Sequence, residues 1–110
     1  MSQTKSGTFT GAASATNLVL GFLPDWGIVI NTTDVKVFLY EENMRAAYDF
    51  AIASAGNANT YDTANGFTPY TGGSPTISSG TTPGNSKGIT IGSAICGDSD
   101  LCFYIFGENS

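Results

Sequence analysis

The sequence predicts an all-β domain, a sandwich or a barrel, and three observations predict it. Gly, Thr, Ser and Asn make up 47 of the 110 residues, and these types form turns or suit a pleated surface. Charged residues are only 12% of the chain, about half the usual share and too few for the solvated faces of a helical bundle. Four runs of apolar, β-branched or aromatic residues fall within the first forty positions, with short turns between them, which leaves no space for the helices of a layered α/β fold. A chain of this length has room for about one packed core. A single domain over residues 7–110 is therefore expected, preceded by an arm at residues 1–6.

The elements follow in order. Gly7 to Gly11 reads as a short strand bounded by glycines, and Asn17 to Phe22 as a second. Leu23-Pro24-Asp25 suits a type I turn, because Pro presets the backbone dihedral and Asp bonds its own turn. Trp26 to Asn31 is the next strand, Thr32-Thr33-Asp34 reverses it, and Val35 to Tyr40 runs on with Val35, Val37 and Leu39 sharing one face. Glu41 to Ala55 fits two periods. Met44, Ala47, Tyr48, Ala51, Ile52 and Ala55 form a stripe at helical spacing, whereas Met44, Ala46, Tyr48, Phe50 and Ile52 line one face of a strand. The all-β surroundings and the aromatic spacing favour a turn at Glu41 to Asn43 and then a strand.

From about residue 56 to 86, Gly, Pro and Asn punctuate a stretch with few apolar residues, and one long loop region is expected. It has room for short strands at Gly66 to Tyr70 and Thr76 to Ser79. Tyr61, Phe67 and Tyr70 exceed what a solvated loop needs. They either fold back to cap the sandwich or anchor a partner. Lys87 to Ile95 alternates, Asp100 to Glu108 is the most apolar run, and Gly97-Asp98-Ser99 reads as the turn joining the two as a hairpin. Leu101, Phe103 and Ile105 share one face of the last strand, and Cys102, Tyr104 and Phe106 the other. Such a strand is either covered on both sides or turns its second face to another subunit.

Several functions are disfavoured by composition. The chain has no histidine, so Ser–His and Cys–His nucleophile pairs and His-based metal centres cannot form. Lys5, Lys36, Arg45 and Lys87 are scattered against nine acidic residues, for a net charge of −5, which argues against nucleic-acid binding. No apolar run approaches the length of a membrane span. Met1 to Gly7 is polar, so no secretory leader is read there and synthesis in the cytoplasm is expected. Asn31-Thr32-Thr33 matches a glycosylation sequon but reads as a turn. Cys96 and Cys102 are either reduced thiols beside a turn or a cross-hairpin disulfide. Asp98-Ser99-Asp100 lacks the further ligands of a calcium loop, and Glu41-Glu42 would point apart on a strand and could flank one substrate bond only from a turn. No catalytic, cofactor or metal constellation emerges. What remains is a structural subunit or a binding module, working through surface and not through chemistry.

Ser6 to Gly11, then Leu18 to Asn31 with its Gly21-Phe22-Leu23-Pro24-Asp25 turn, resembles the opening of small β-sandwich structural proteins of tailed bacteriophages. Lys87-Gly88-Ile89-Thr90-Ile91-Gly92, a turn and an aromatic strand look like the matching C-terminal part. Within that group the chain most resembles capsid decoration (cement) proteins, and tail or fibre modules of host attachment are the alternative. The resemblance implies a jelly-roll-like antiparallel β-sandwich and a homotrimer. It implies a place on the outer surface of the virion capsid, clamping neighbouring subunits of the major capsid protein, with no cofactor, nucleic acid or membrane as partner. The expected contact residues are Thr4 and Lys5 on the arm and Tyr61, Phe67 and Tyr70 in the loop region.

Overall fold

Among the described residues, β-branched and aromatic runs form nine strands and no helix. The computed structural model describes residues 3–44, 48–53, 60–71, 77–78 and 87–108. The strands are β1 (Gln3–Thr10), β2 (Thr16–Val19), β3 (Trp26–Asn31), β4 (Lys36–Glu41), β5 (Tyr48–Ala53), β6 (Thr60–Tyr70), β7 (Ile77–Ser78), β8 (Gly88–Ile91) and β9 (Leu101–Glu108). They form one continuous sheet in the order β1-β9-β3-β4-β5-β6-β8-β2-β7. All pairings are antiparallel except the two-residue contact of β2 with β7.

The sandwich-like interior is therefore made by one sheet curling over itself. In a flat sheet β6 and β9 would lie about 19 Å apart, given strand spacings near 4.8 Å. Yet the rings of Phe67 and Phe106 meet edge-on with centroids 6.1 Å apart. The bend lies in β6. Thr60 to Asp62 pair with β5, Phe67 to Tyr70 pair with β8, and the β5–β6 register jumps between Tyr48 and Asp49. Asn65 sits there at φ 62°, a left-handed conformation that Asn tolerates better than most residues. The amides of Gly92 and Ala94 bond the carbonyls of Gly66 and Asn65 at 3.0 and 3.1 Å. A Cβ at Gly92 would overlap the Asn65 carbonyl, so this crossing requires glycine. A strand that changes partners through an irregularity is how β corners are built.

A single core fills the fold. Phe38, Phe67 and Phe106 are its largest fully buried side chains, joined by Leu18, Ile89 and Ile91 from the other half of the sheet. Tyr40 packs on Phe67 with centroids 5.2 Å apart, and Phe9 on Tyr104 at 6.1 Å. The radius of gyration, 13.0 Å, is close to the roughly 13 Å of a compact domain of this length.

Four sequence expectations are corrected. Gln3 to Ser6 do not form a free arm; they continue β1 and pair with Glu108 to Ile105. The short strands expected at Gly66 to Tyr70 and Thr76 to Ser79 are found in β6 and β7, but β6 starts already at Thr60 and reaches eleven residues, where loop was expected; residues 54–59, 72–76 and 79–86 lie outside the described residues. Val35 precedes β4 at φ 56° in the turn. The C-terminal hairpin does not form: β8 pairs with β2 and β6, while β9 pairs with β1 and β3. The cause is the Gly92 crossing, after which Ile95 and Cys96 both bond the Gly92 carbonyl and carry the chain into a tight loop. The turn after Glu41 and the strand at 48–53 agree with expectation, and Ala46 lies outside the described residues.

Candidate interaction surface

One end of the domain is a rigid corner built on Asn31, whose side chain is 0% exposed. Its Oδ1 accepts from the amides of Thr33 and Asp34 at 3.0 and 2.9 Å, closing the β3–β4 turn. Its Nδ2 donates to the Ile95 carbonyl at 2.8 Å and to Asp100 Oδ2 at 3.0 Å, with Asp34 Oδ2 at 3.3 Å. Asp100 Oδ2 also accepts from the Gly97 amide at 3.1 Å. Thr32 Oγ1 donates to the Leu101 carbonyl, and Thr33 Oγ1 accepts from the Leu101 amide. Beside this network Cys96 and Cys102 form a disulfide, with Cα atoms 6.6 Å apart. It closes a short loop and does not cross a hairpin. Asn31 is thus a structural hub inaccessible to a modifying enzyme, in agreement with its reading as a turn residue.

The five residues expected to contact a partner are not brought together. Thr4 is exposed on the edge strand β1, and Lys5, next to it, is half-buried opposite Phe106. Phe67 and Tyr70 are 1% and 7% exposed and belong to the core, so the capping reading of these two holds and the anchoring one is corrected. Turn-forming residues surround them in the sequence, as in a loop, but a strand corner uses the same residues. Tyr61 lies opposite Phe50 on β6.

A surface that the sequence marks only on its last strand lies elsewhere. Inward positions of β9, β3, β4 and β5 carry core residues, and their outward positions are apolar too. Phe103, Ile30, Val37 and Ile52 stand opposite one another across the four strands. Ile105, Ile28, Leu39 and Phe50 form the adjacent row. Phe103, Ile30, Ile52, Leu39 and Phe50 are between 38% and 44% exposed, well above what a covered sheet face shows. At one end of these rows Ile30, Val35, Val37 and Ile52, with Thr32 and Lys36, line a groove of about 370 Å³. Ser6 and Thr8 of β1 border the rows on one side, and Glu41 closes the far end opposite Trp26. The available signal was the alternation itself: Trp26 to Asn31 and Val35 to Tyr40 have apolar residues at both odd and even positions.

At that far end sit three carboxylates. The Glu42 amide bonds the Asp25 carbonyl at 2.9 Å, and the Glu42 carboxyl is held above its ordinary value by a side-chain hydrogen bond with Asp25 and then by the Asp25 charge. Burial raises the Tyr40 hydroxyl, and the charges of Glu42, Glu41 and Asp25 add to this. Since folding favours protonated Glu42, its contribution is present below the unfolded-state value and is lost as pH rises through the higher folded-state value. Thermal melts from about pH 4 to 7 should therefore show stability falling more steeply in the wild type than in Glu42→Gln. Parallel curves would show that the shared proton has no thermodynamic weight.

Among the described residues no three His, Cys, Asp or Glu side chains converge to hold a metal ion, and no helix is long and apolar enough to cross a membrane. What the geometry offers is shape and apolar area on a stiff scaffold. No protein-family model, curated protein or solved structure matches the chain.

Proposed function

We propose that this chain is a non-enzymatic structural protein of a bacteriophage virion, a decoration protein that binds the outer surface of the assembled head and clamps neighbouring subunits of the major capsid protein. One observation supports the reading beyond the motifs themselves. The two stretches that carry the resemblance lie at opposite ends of the chain, yet they pair with each other: β1 and β3 flank β9, and β2 lies against β8. In the sheet they form two groups, β1-β9-β3 and β8-β2, separated by β4, β5 and β6, and in each group an N-terminal stretch lies against a C-terminal one.

The mechanism is mass action. A protein that binds only the expanded, closed lattice raises the free energy required to open it. Several weak contacts held on one oligomer bind with avidity. A net charge of −5 suits an exterior position, away from packaged DNA.

Copy number in purified particles tests the proposal. On a stained gel, hundreds of copies per particle are expected, and particles lacking the chain should rupture at lower temperature or under milder osmotic shock. A few copies per particle, with antibodies against the chain blocking adsorption, would instead establish a tail or fibre module of host attachment.

A further inference from the structure

We infer that the outward face of β9-β3-β4-β5 is a self-association surface, on which a second copy of this chain packs face to face about a two-fold axis. The inference does not rest on the virion reading. It starts from area. Taken at their fractional exposures, the two apolar rows, with Leu101 and Val35 at one end, leave roughly 600–800 Å² of apolar surface in water. That exceeds the patch of about 300–600 Å² found on a typical monomer, and it approaches the roughly 800 Å² per partner of a stable interface.

The anatomy agrees. Neither row contains a charged side chain, while Ser6, Thr8 and Glu41 lie at their borders and Lys36 lines the groove at one end. An apolar centre inside a polar rim is the layout of an oligomer contact. Among the described residues Lys36 is the one cation at this face, and a single cation disfavours nucleic acid or anionic lipid as the occupant, since both are held by clustered Lys and Arg. Two copies that each carry −5 repel least when they meet through apolar rows whose charges lie only at the ends. A sheet face is also self-complementary: turned over, it presents the same rows to its partner, and the two sheets stack about 10 Å apart. Three such faces cannot cover one another around a three-fold axis. This contact is therefore distinct from the trimer contact implied by the resemblance.

Val35 supplies an independent observation. It is 60% exposed, stands at the lip of the groove, and is held at φ 56°, a conformation strained for a β-branched residue. Gly or Asn would relieve the strain. An apolar side chain kept there, directed into water, suits a position that another molecule covers.

Sedimentation equilibrium of the full chain from about 1 to 100 µM tests the pairing. The expected mass at the upper end is twice 11.4 kDa. Phe103→Lys, Leu39→Lys and Ile52→Lys, on three different strands, should each weaken association by about tenfold or more, with circular dichroism unchanged. Ser93→Lys, on an exposed loop outside the face, should leave it intact. Val35→Gly should weaken pairing while raising the melting temperature of the dilute monomer, a combination that a purely structural role does not give. Three results would overturn the inference: a mass of 11.4 kDa at every concentration, a larger assembly indifferent to all three lysines, or a monomer whose face is covered only by the capsid lattice. The last would leave the virion proposal standing and give the face to that partner.

Discussion

Replacing Phe106 by alanine is expected to lower the unfolding free energy by about 3–5 kcal/mol. Its ring is fully buried. It lies over Gly27, where any Cβ would run into it, and it meets Tyr40, Phe67 and Tyr104 with centroids 6.3, 6.1 and 6.0 Å away. The loss has two parts, the transfer of the ring from water and the cavity left behind. Collapse around that cavity is restricted because three strands hold its walls: β9 is paired on both sides, and Gly27 offers no side chain to fill the space. Because small domains have about 5–15 kcal/mol in total, Phe106→Ala should bring the protein close to its threshold. Chemical denaturation with an unchanged slope would measure the difference. A loss under 1 kcal/mol would mean that the curled sheet does not close on this ring. Phe106→Leu, which retains much of the volume, should cost markedly less.

The second large effect is expected at Asn31. Asn31→Ala leaves the Thr33 and Asp34 amides and the Ile95 carbonyl without the partners they now have. Each buried polar group so orphaned costs roughly 1–3 kcal/mol, and water reaching the exposed turn recovers part of this. A net loss of about 3 kcal/mol is expected. Asn31→Asp separates the two halves of the side chain. It retains the acceptor for the turn amides but loses both amide donors and places a carboxylate against Asp100 and Asp34. Burial and like charge raise the pKa of such a carboxylate in the folded state. The stability of Asn31→Asp should therefore recover as pH falls and the inserted group gains a proton it can donate, and be lost again as pH rises. Denaturation midpoints at acidic and neutral pH test this; an Asn31→Asp deficit independent of pH would show that the donors carry no weight.

How much was legible in the sequence differs by element. β3 is readable to the residue, because Trp26 to Asn31 is a dense β-branched run with a Pro-Asp turn before it and a polar turn after it. The strand reading of Tyr48–Ala53 prevailed over the helical one because the Ala51 methyl fits the inward face while Phe50 and Ile52 alternate outward. The candidate site was far less legible. Aromatic residues in a Gly- and Asn-rich stretch look exposed when only neighbours in sequence are considered, and Phe67 becomes a core residue only once β6 bends it over Phe106. Thr4 and Lys5 looked free because nothing local holds them; their partners stand a hundred residues away on β9.

By itself the sequence determined the class of the fold, the position of most strands and the exclusion of histidine-based chemistry, since composition and period-two alternation act locally and survive without tertiary information. Strand order, the curl through Asn65 and Gly92, and the apolar face left outside were decided by the tertiary structure alone. The physical reason is that every strand here is apolar enough to pair with several others. Which pairing wins depends on distant backbone contacts, and which face is buried depends on the side toward which the sheet closes.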